Sequence, residues 1–100
     1  MDYELRLKTG FFETKFYYMK INKGKLRLYP LKPADEEIVL LDKDISGIML
    51  KNGEALEIEI DLLEHSYQGT ITAKEKYEDL LNGLKTNLNT KILCEYEGGN

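Results

Sequence analysis

The stretch of sequence that decides the fold runs from residue 56 to residue 88 and reads LEIEIDLLEHSYQGTITAKEKYEDLLNGLKTNL. Its first six residues alternate between aliphatic side chains and carboxylates, which is typical of a strand with one buried and one exposed face. After Thr72 the apolar residues recur every three or four positions, which is the period of an amphipathic helix. These helical positions are Tyr77, Leu80, Leu81, Leu84 and Leu88. Because Thr72 and Glu75 have the spacing of a capping box, we expect one helix over residues 73–88.

The residues on the N-terminal side of this stretch alternate in the same way and predict further strands. Seven strands are expected between residues 2 and 71, at about 3–8, 15–21, 26–29, 37–41, 45–50, 56–61 and 66–71. Asn22-Lys23-Gly24-Lys25 and Asn52-Gly53 are typical of hairpin turns. Residues 91–96 alternate again and predict one extra strand at the C-terminus. We therefore expect a single, mainly β domain over residues 1–100: a seven-stranded antiparallel barrel or sandwich, capped by one C-terminal amphipathic helix.

Composition restricts the classes of function. The chain has 14 basic and 18 acidic residues and a net charge of −4, without a long run of like charges, so a general nucleic-acid binder is not expected. Its longest apolar runs are far shorter than the roughly 20 residues that span a bilayer. The N-terminus lacks the features of a signal peptide, and one cysteine cannot form an internal disulfide, so we expect a cytoplasmic protein. The strong preference for Lys over Arg indicates an A+T-rich bacterial genome.

Groups that could support catalysis are few. The chain has one His and one Cys, and their spacing matches no metal-binding, nucleophile or phosphate-loop motif. His65 is expected in an exposed loop, and Cys94 as a buried, inert thiol within an apolar alternation. The carboxylates of residues 57–61 are expected on a solvated strand face. We therefore predict that the protein is not an enzyme and has no cofactor or metal.

The order of elements resembles the bacterial pleckstrin-homology-like and GRAM-type domains over residues 2–88. The resemblance rests on the spacing of Ile38-Val39-Leu40-Leu41-x3-Ile45, Ile48, Leu50, Leu56-x-Ile58-x-Ile60 and residues 67–71 before the helix, with an Asp44-Ile45 step. It implies a binding module rather than an enzyme. In lipid-binding members of the family, cations flank the loop between the first two strands. Only Lys8 and Lys15 match those positions here, and the basic residues of 23–27 belong to the next hairpin.

Two adjacent aromatic residues, Phe11 and Phe12, lie in the loop after the first strand. One interpretation is that they fold back over the mouth of the barrel. The other is that they form an exposed apolar tip, which contacts a partner or enters a membrane interface beside Lys8 and Lys15. A protein partner or a second copy is the preferred interpretation. A peripheral membrane module is the alternative, and the net charge of −4 disfavours it.

The alternation of residues 91–96 places Ile92, Cys94 and Tyr96 on one face of the extra strand, and we expect this strand to form a second contact surface. A strand at the end of a chain presents unpaired backbone groups, which favour pairing with another strand. The segment either pairs with a second copy, which forms a homodimer, or folds back and pairs within its own chain.

Overall fold

The computed structural model describes residues 2–96, except for the side chain of Tyr96. It contains eight strands and one α-helix, separated by short loops and two 3-10 turns. The elements are β1 (Asp2–Lys8), β2 (Thr14–Asn22), β3 (Lys25–Pro30), β4 (Ile38–Leu41), β5 (Ile45–Asn52), β6 (Leu56–Leu62), β7 (Ser66–Ile71), α1 (Tyr77–Asn87) and β8 (Ile92–Tyr96). The 3-10 turns are Asp42–Asp44 and Lys74–Lys76.

The strands form one mixed sheet in the order β4-β3-β2-β1-β7-β6-β5-β8. The first seven strands pair antiparallel, as the alternation predicted. The extra strand, whose direction was not predicted, is β8, and it pairs parallel to β5. The segment thus folds back onto its own sheet, which was the second of the two alternatives for residues 91–96.

Both halves of the sheet and the helix contribute to one core. Along β1 the residues alternate between exposed and buried, and β6 begins in the same way. From the helical stripe, Leu80, Leu84 and Leu88 are buried, and Tyr77 and Leu81 pack against the same cluster. The mainly β sandwich with a C-terminal helix is therefore confirmed, and its driving force is the burial of these aliphatic side chains.

The two hairpins form where they were predicted, but their turns differ. Lys23 and Gly24 alone connect Asn22 to Lys25, and Gly24 has a φ of 79°, which glycine adopts without strain. In the second hairpin Asn52 pairs with Leu56, so the loop has three residues, 53–55, rather than an Asn-Gly turn of two.

The start of the helix differs from the expected capping box. The hydroxyl of Thr72 donates to a carboxylate oxygen of Glu4 at 3.1 Å, and its backbone N–H donates to the carbonyl of Glu4 at 3.2 Å. Thr72 is thus held by β1 and is not available to the helix. The chain instead enters through the 3-10 turn at Lys74–Lys76, and α1 begins at Tyr77 without a side-chain cap.

Asp42 holds the segment that connects the helix to β8. Its two carboxylate oxygens accept hydrogen bonds from the backbone N–H groups of Asn89 at 2.9 Å and Thr90 at 3.1 Å. The hydroxyl of Thr90 donates to the carbonyl of Ile45 at 3.0 Å. These bonds place the chain beside the first residue of β5 just before β8 begins. β8 therefore runs along β5 in the same direction.

We expect Asp42→Ala to lower the free energy of unfolding by about 1–2 kcal/mol, because two backbone donors lose a charged acceptor. Amide hydrogen exchange should become faster in β8 than in β6. Asp44→Ala is the control, since Asp44 is exposed in the same 3-10 turn. Equal exchange rates in β8 of the two variants would show that Asp42 does not position the strand.

Three tyrosine hydroxyls with raised pKa values make the stability of the protein depend on pH in the alkaline range. Burial, reinforced by a 2.6 Å hydrogen bond from its hydroxyl to Asp79, raises the pKa of Tyr3 well above its ordinary value. Burial also raises the pKa of Tyr17, and a hydrogen bond with Cys94, followed by burial, raises the pKa of Tyr77 to about 12. In the unfolded chain all three hydroxyls ionise near pH 10.

Stability should therefore be full below about pH 10 and should fall as the pH rises above it, since the unfolded tyrosines lose their protons first. Urea unfolding at pH 8, 10 and 11 measures this change. Tyr3→Phe should reduce the loss of stability between pH 8 and pH 11, because the largest contributor is removed. An unchanged pH dependence in this variant would contradict the assignment to Tyr3.

Candidate functional site

The loop between β1 and β2 carries the most exposed large apolar side chains of the described residues. Phe11 is 98% exposed and Phe12 is 100% exposed. The loop is closed at its base by hydrogen bonds from the Thr9 backbone N–H to the Glu13 carbonyl and from the Thr9 hydroxyl to the Glu13 carboxylate, both at 3.1 Å. The two rings project from this closed loop with their centroids 5.7 Å apart. The interpretation that they fold back over the mouth of the barrel is therefore wrong, because both rings are almost fully exposed to solvent.

A groove of about 460 Å³ lies beside the base of this loop, between the start of β2 and the loop after β3. Its apolar wall consists of Phe16 and Leu31, which are 49% and 48% exposed. A hydrogen bond of 3.0 Å from the Leu31 backbone N–H to the Phe16 carbonyl holds these two residues side by side. Phe11, Phe12, Phe16 and Leu31 thus present apolar side chains at one end of the sandwich, and we call these four residues the loop-end site.

An ion pair joins the start of β2 to the loop after β3. Lys15 donates to the carboxylate of Asp35 at 3.1 Å, and this hydrogen bond and the charge of Asp35 raise the pKa of Lys15. In the register of the sheet Lys15 pairs with the buried Leu7, whereas Lys8 pairs with Thr14 on the other face. The two predicted cations therefore point to opposite faces, and the structure does not bring them together.

The predicted contact residues of β8 lie differently from expectation. Ile92 is half-buried and packs against the core, in register with the buried Ile48. Cys94 is exposed, so its prediction as a buried thiol is wrong. The cysteine lies on a strand at the edge of the sheet, where no further strand of residues 2–96 covers it, and its side chain contacts Tyr77 at the start of the helix. The backbone of Tyr96 pairs with Asn52, and its side chain lies outside the described atoms.

Titratable groups do not converge on a reactive centre within residues 2–96. No group of three metal-ligating side chains is found there. His65 is exposed in the loop between β6 and β7, as predicted, with its ring edge-on to Tyr67 at 5.1 Å. On β6, Asp61 raises the pKa of Glu59 through a hydrogen bond, and Gln68 donates to the Glu59 carboxylate at 3.1 Å. Glu59 and Gln68 line an open groove of about 260 Å³ on the outside of the sheet.

One surface was not predicted as a site, although the sequence contained a signal for it. Phe16 and Tyr18 occupy the outward positions of β2, where an antiparallel strand ordinarily has polar residues. The register places Tyr29 of β3 directly opposite Tyr18. The sequence could have indicated this surface through two aromatic residues on the outward side of the alternation, and a two-residue turn at Lys23 and Gly24 would have placed Tyr29 across from Tyr18.

Comparison with known proteins supports the fold and leaves the family open. No family model matches the sequence, and no curated protein matches it. A chain in the structure of the Spt16D Pob3N heterodimer is similar, with a TM-score of 0.67 and 19% sequence identity. The alignment covers 100% of this chain and 57% of that one. At this identity the similarity concerns the fold, and the chain has a pleckstrin-homology-like fold.

Within residues 2–96 the structure contains no helix that is long and apolar enough to cross a bilayer.

Proposed function

We propose that this chain is a small, non-catalytic protein-interaction module of a bacterial cytoplasmic protein, and that the loop-end site contacts its partner. The observation that carries the proposal is the nearly complete exposure of Phe11 and Phe12 on a closed loop. Exposed apolar side chains are unfavourable in water, and a bound partner would remove those of the tip and of the adjacent groove from water. The similar fold found in a heterodimer supports an interaction role.

Site-specific photo-crosslinking tests the proposal. A photoreactive phenylalanine analogue replaces Phe12 in the cell, and a matched chain carries it at Lys23, an exposed hairpin position. We expect a discrete protein adduct from position 12 only. The adduct partner, once purified, should bind the Phe11→Ser, Phe12→Ser double variant at least tenfold more weakly than the original chain. Adducts that are identical at both positions, or undiminished binding, would refute the loop-end site.

The same double variant should fold as the original chain does. Both phenylalanines are almost fully exposed, so their replacement should change the free energy of unfolding of the protein by less than about 0.5 kcal/mol. Loss of binding in a chain of unchanged stability therefore reports on contact and not on folding.

The exposed tip also supports the alternative of a peripheral membrane module. Its arrangement is less favourable for that role, because Lys15 is paired with Asp35 and Glu13 lies at the base of the loop. Co-sedimentation with vesicles with and without anionic lipid distinguishes the two. Binding that requires both anionic lipid and Phe12 would favour the membrane role.

A second candidate function is self-association through β8, which is the last strand of the sheet and has no neighbour on its outer edge within the described residues. Light scattering on the full-length chain at high micromolar concentration tests it, and a monomer would contradict it. Cys94→Ser is the control for an intermolecular disulfide, because the thiol is exposed. Deletion of residues 90–100 should destabilise the chain whatever its mass, because β8 pairs with β5.

A further inference from the structure

The outward side of β1, β2, β3 and β4 carries five large apolar side chains interspersed with cations, and we call this surface the aromatic face. Its members are Phe16, Tyr18, Tyr29, Val39 and Leu41. Tyr18, Val39 and Leu41 are 42%, 46% and 39% exposed, and Phe16 connects the face to the loop-end site. Scattered apolar residues on a surface are ordinary, but Phe16, Tyr18 and Tyr29 are neighbours in the register, and a cluster of exposed aromatic side chains on one sheet face marks a contact region.

Both arginines of the chain lie on this face and stack on its rings. The Arg6 guanidinium is 5.8 Å from the centroid of the Phe16 ring, and the Arg27 guanidinium is 5.3 Å from that of Tyr29. Stacking holds each long side chain in place before a partner arrives, which reduces the entropy that binding must remove. Tyrosine and arginine are the residue types that most often dominate the energy of a protein interface.

The charges on the two halves of the sheet have opposite sign. The outward positions of β1, β2 and β3 carry five basic and two acidic residues: Arg6, Lys8, Lys20, Lys25 and Arg27 against Asp2 and Glu4. The outward positions of β5, β6 and β8 carry one basic and four acidic residues: Lys51 against Glu57, Glu59, Asp61 and Glu95. In a chain of net charge −4 the aromatic face is therefore the positive side, which attracts an acidic partner.

Arg27 already shows how a carboxylate is held on this face. One oxygen of Glu37 accepts hydrogen bonds from Nε of Arg27 at 2.9 Å and from Nη2 at 2.7 Å, while the guanidinium stays over Tyr29. The side chains of this pair are 35% and 36% exposed. An exposed ion pair of this kind contributes little to stability, so a carboxylate of a partner can replace Glu37 at small cost.

We propose that the aromatic face binds an acidic segment of a partner protein, with a carboxylate on Arg27 and apolar side chains on Tyr18, Tyr29 and Val39. The proposal rests on the proposed function, namely that the chain binds a protein. A second copy fits less well, since two aromatic faces would bring like charges together. Contact between the aromatic face of one copy and the acidic outward side of β5, β6 and β8 of the next would be heterologous and would form rings or open chains rather than a two-fold dimer.

A peptide selection tests the chemistry of the partner. Random 12-residue peptides displayed on phage are selected on the full-length chain, and the enriched sequences are synthesised and titrated by fluorescence anisotropy. We expect peptides rich in Asp, Glu and apolar residues. They should bind Tyr18→Ser and Arg27→Gln at least tenfold more weakly, and Lys51→Gln, a cation on the other half of the sheet, equally well. Glu37→Gln should bind at least threefold more tightly, because Arg27 is freed.

Several results would overturn the inference. These are no enriched peptide, enrichment of basic peptides, or binding that Tyr18→Ser leaves unchanged. If binding is lost in Phe12→Ser but kept in Tyr18→Ser, the loop-end site stands and the aromatic face does not. Tyr18-dependent binding of phosphatidylserine vesicles or of a 15-nucleotide oligothymidine, tighter than that of any peptide, would assign the face to a membrane or to single-stranded nucleic acid. The crosslinking from position 12 tests the proposed function separately.

Discussion

Leu84→Asp should abolish most of the cooperative unfolding transition of this protein. Leu84 is fully buried in the centre of the helical stripe, packed in the cluster that joins both halves of the sheet. Aspartate there places an unpaired charge in an apolar environment and removes the aliphatic contacts, at a cost of at least about 4 kcal/mol. A loss of this size is a large fraction of the roughly 5–15 kcal/mol that stabilises a domain.

The matched control is Asn82→Asp, which introduces the same residue two positions earlier on the exposed side of the same helix. Urea unfolding followed by circular dichroism should show a change of less than about 0.5 kcal/mol for this variant. If Leu84→Asp itself lowered the free energy of unfolding by less than about 1 kcal/mol, the stripe could not be packed against the sheet.

Gly69→Ala should have the second largest effect, although it adds only a methyl group. Gly69 lies where β7 pairs with β1, opposite Leu7. A Cβ at this position would lie 2.6 Å from the carbonyl oxygen of Arg6 and 2.8 Å from Cδ1 of Leu5. The first contact is with backbone, which can move only if the β1–β7 ladder opens, so we expect a loss of about 2–4 kcal/mol.

Gly47→Ala is the control, because the nearest atom to its added Cβ is the carbonyl oxygen of Lys91 at 3.9 Å, an ordinary contact. It should change the free energy of unfolding by less than about 1 kcal/mol. Thermal and urea unfolding of both variants measure the difference. Equal stability of the two variants would mean that β1 and β7 do not approach as closely as the structure shows.

Much of the sheet could be predicted from alternation alone. On β1 the alternation of apolar and charged residues predicts which side is buried, because a shift of one position would bury Glu4 and Arg6. The helical stripe ending at Leu88 is equally local, as is the positive φ of Gly24 in its hairpin. In these cases the signal and its effect lie within a few residues of each other.

The candidate sites depended on tertiary structure to different degrees. Phe11 and Phe12 were visible as a pair, but their exposure follows from the closed loop at Thr9 and Glu13. The exposure of Cys94 follows from its place on an edge strand. The aromatic face exists because β2 and β3 bring Tyr18 and Tyr29 together, in the register that the two-residue turn at Lys23 and Gly24 sets.

By itself the sequence determined which residues turn inward, where strands give way to a helix, and that the groups for catalysis are few. Only the tertiary structure decided that β8 runs parallel to β5, that Thr72 bonds to Glu4 and not to the helix, and that cations predominate on the outward side of one half of the sheet and carboxylates on that of the other. The physical reason is range. Burial patterns repeat every two to four residues and can be read locally, whereas the partner of a hydrogen bond or a charge is set by the path of the whole chain.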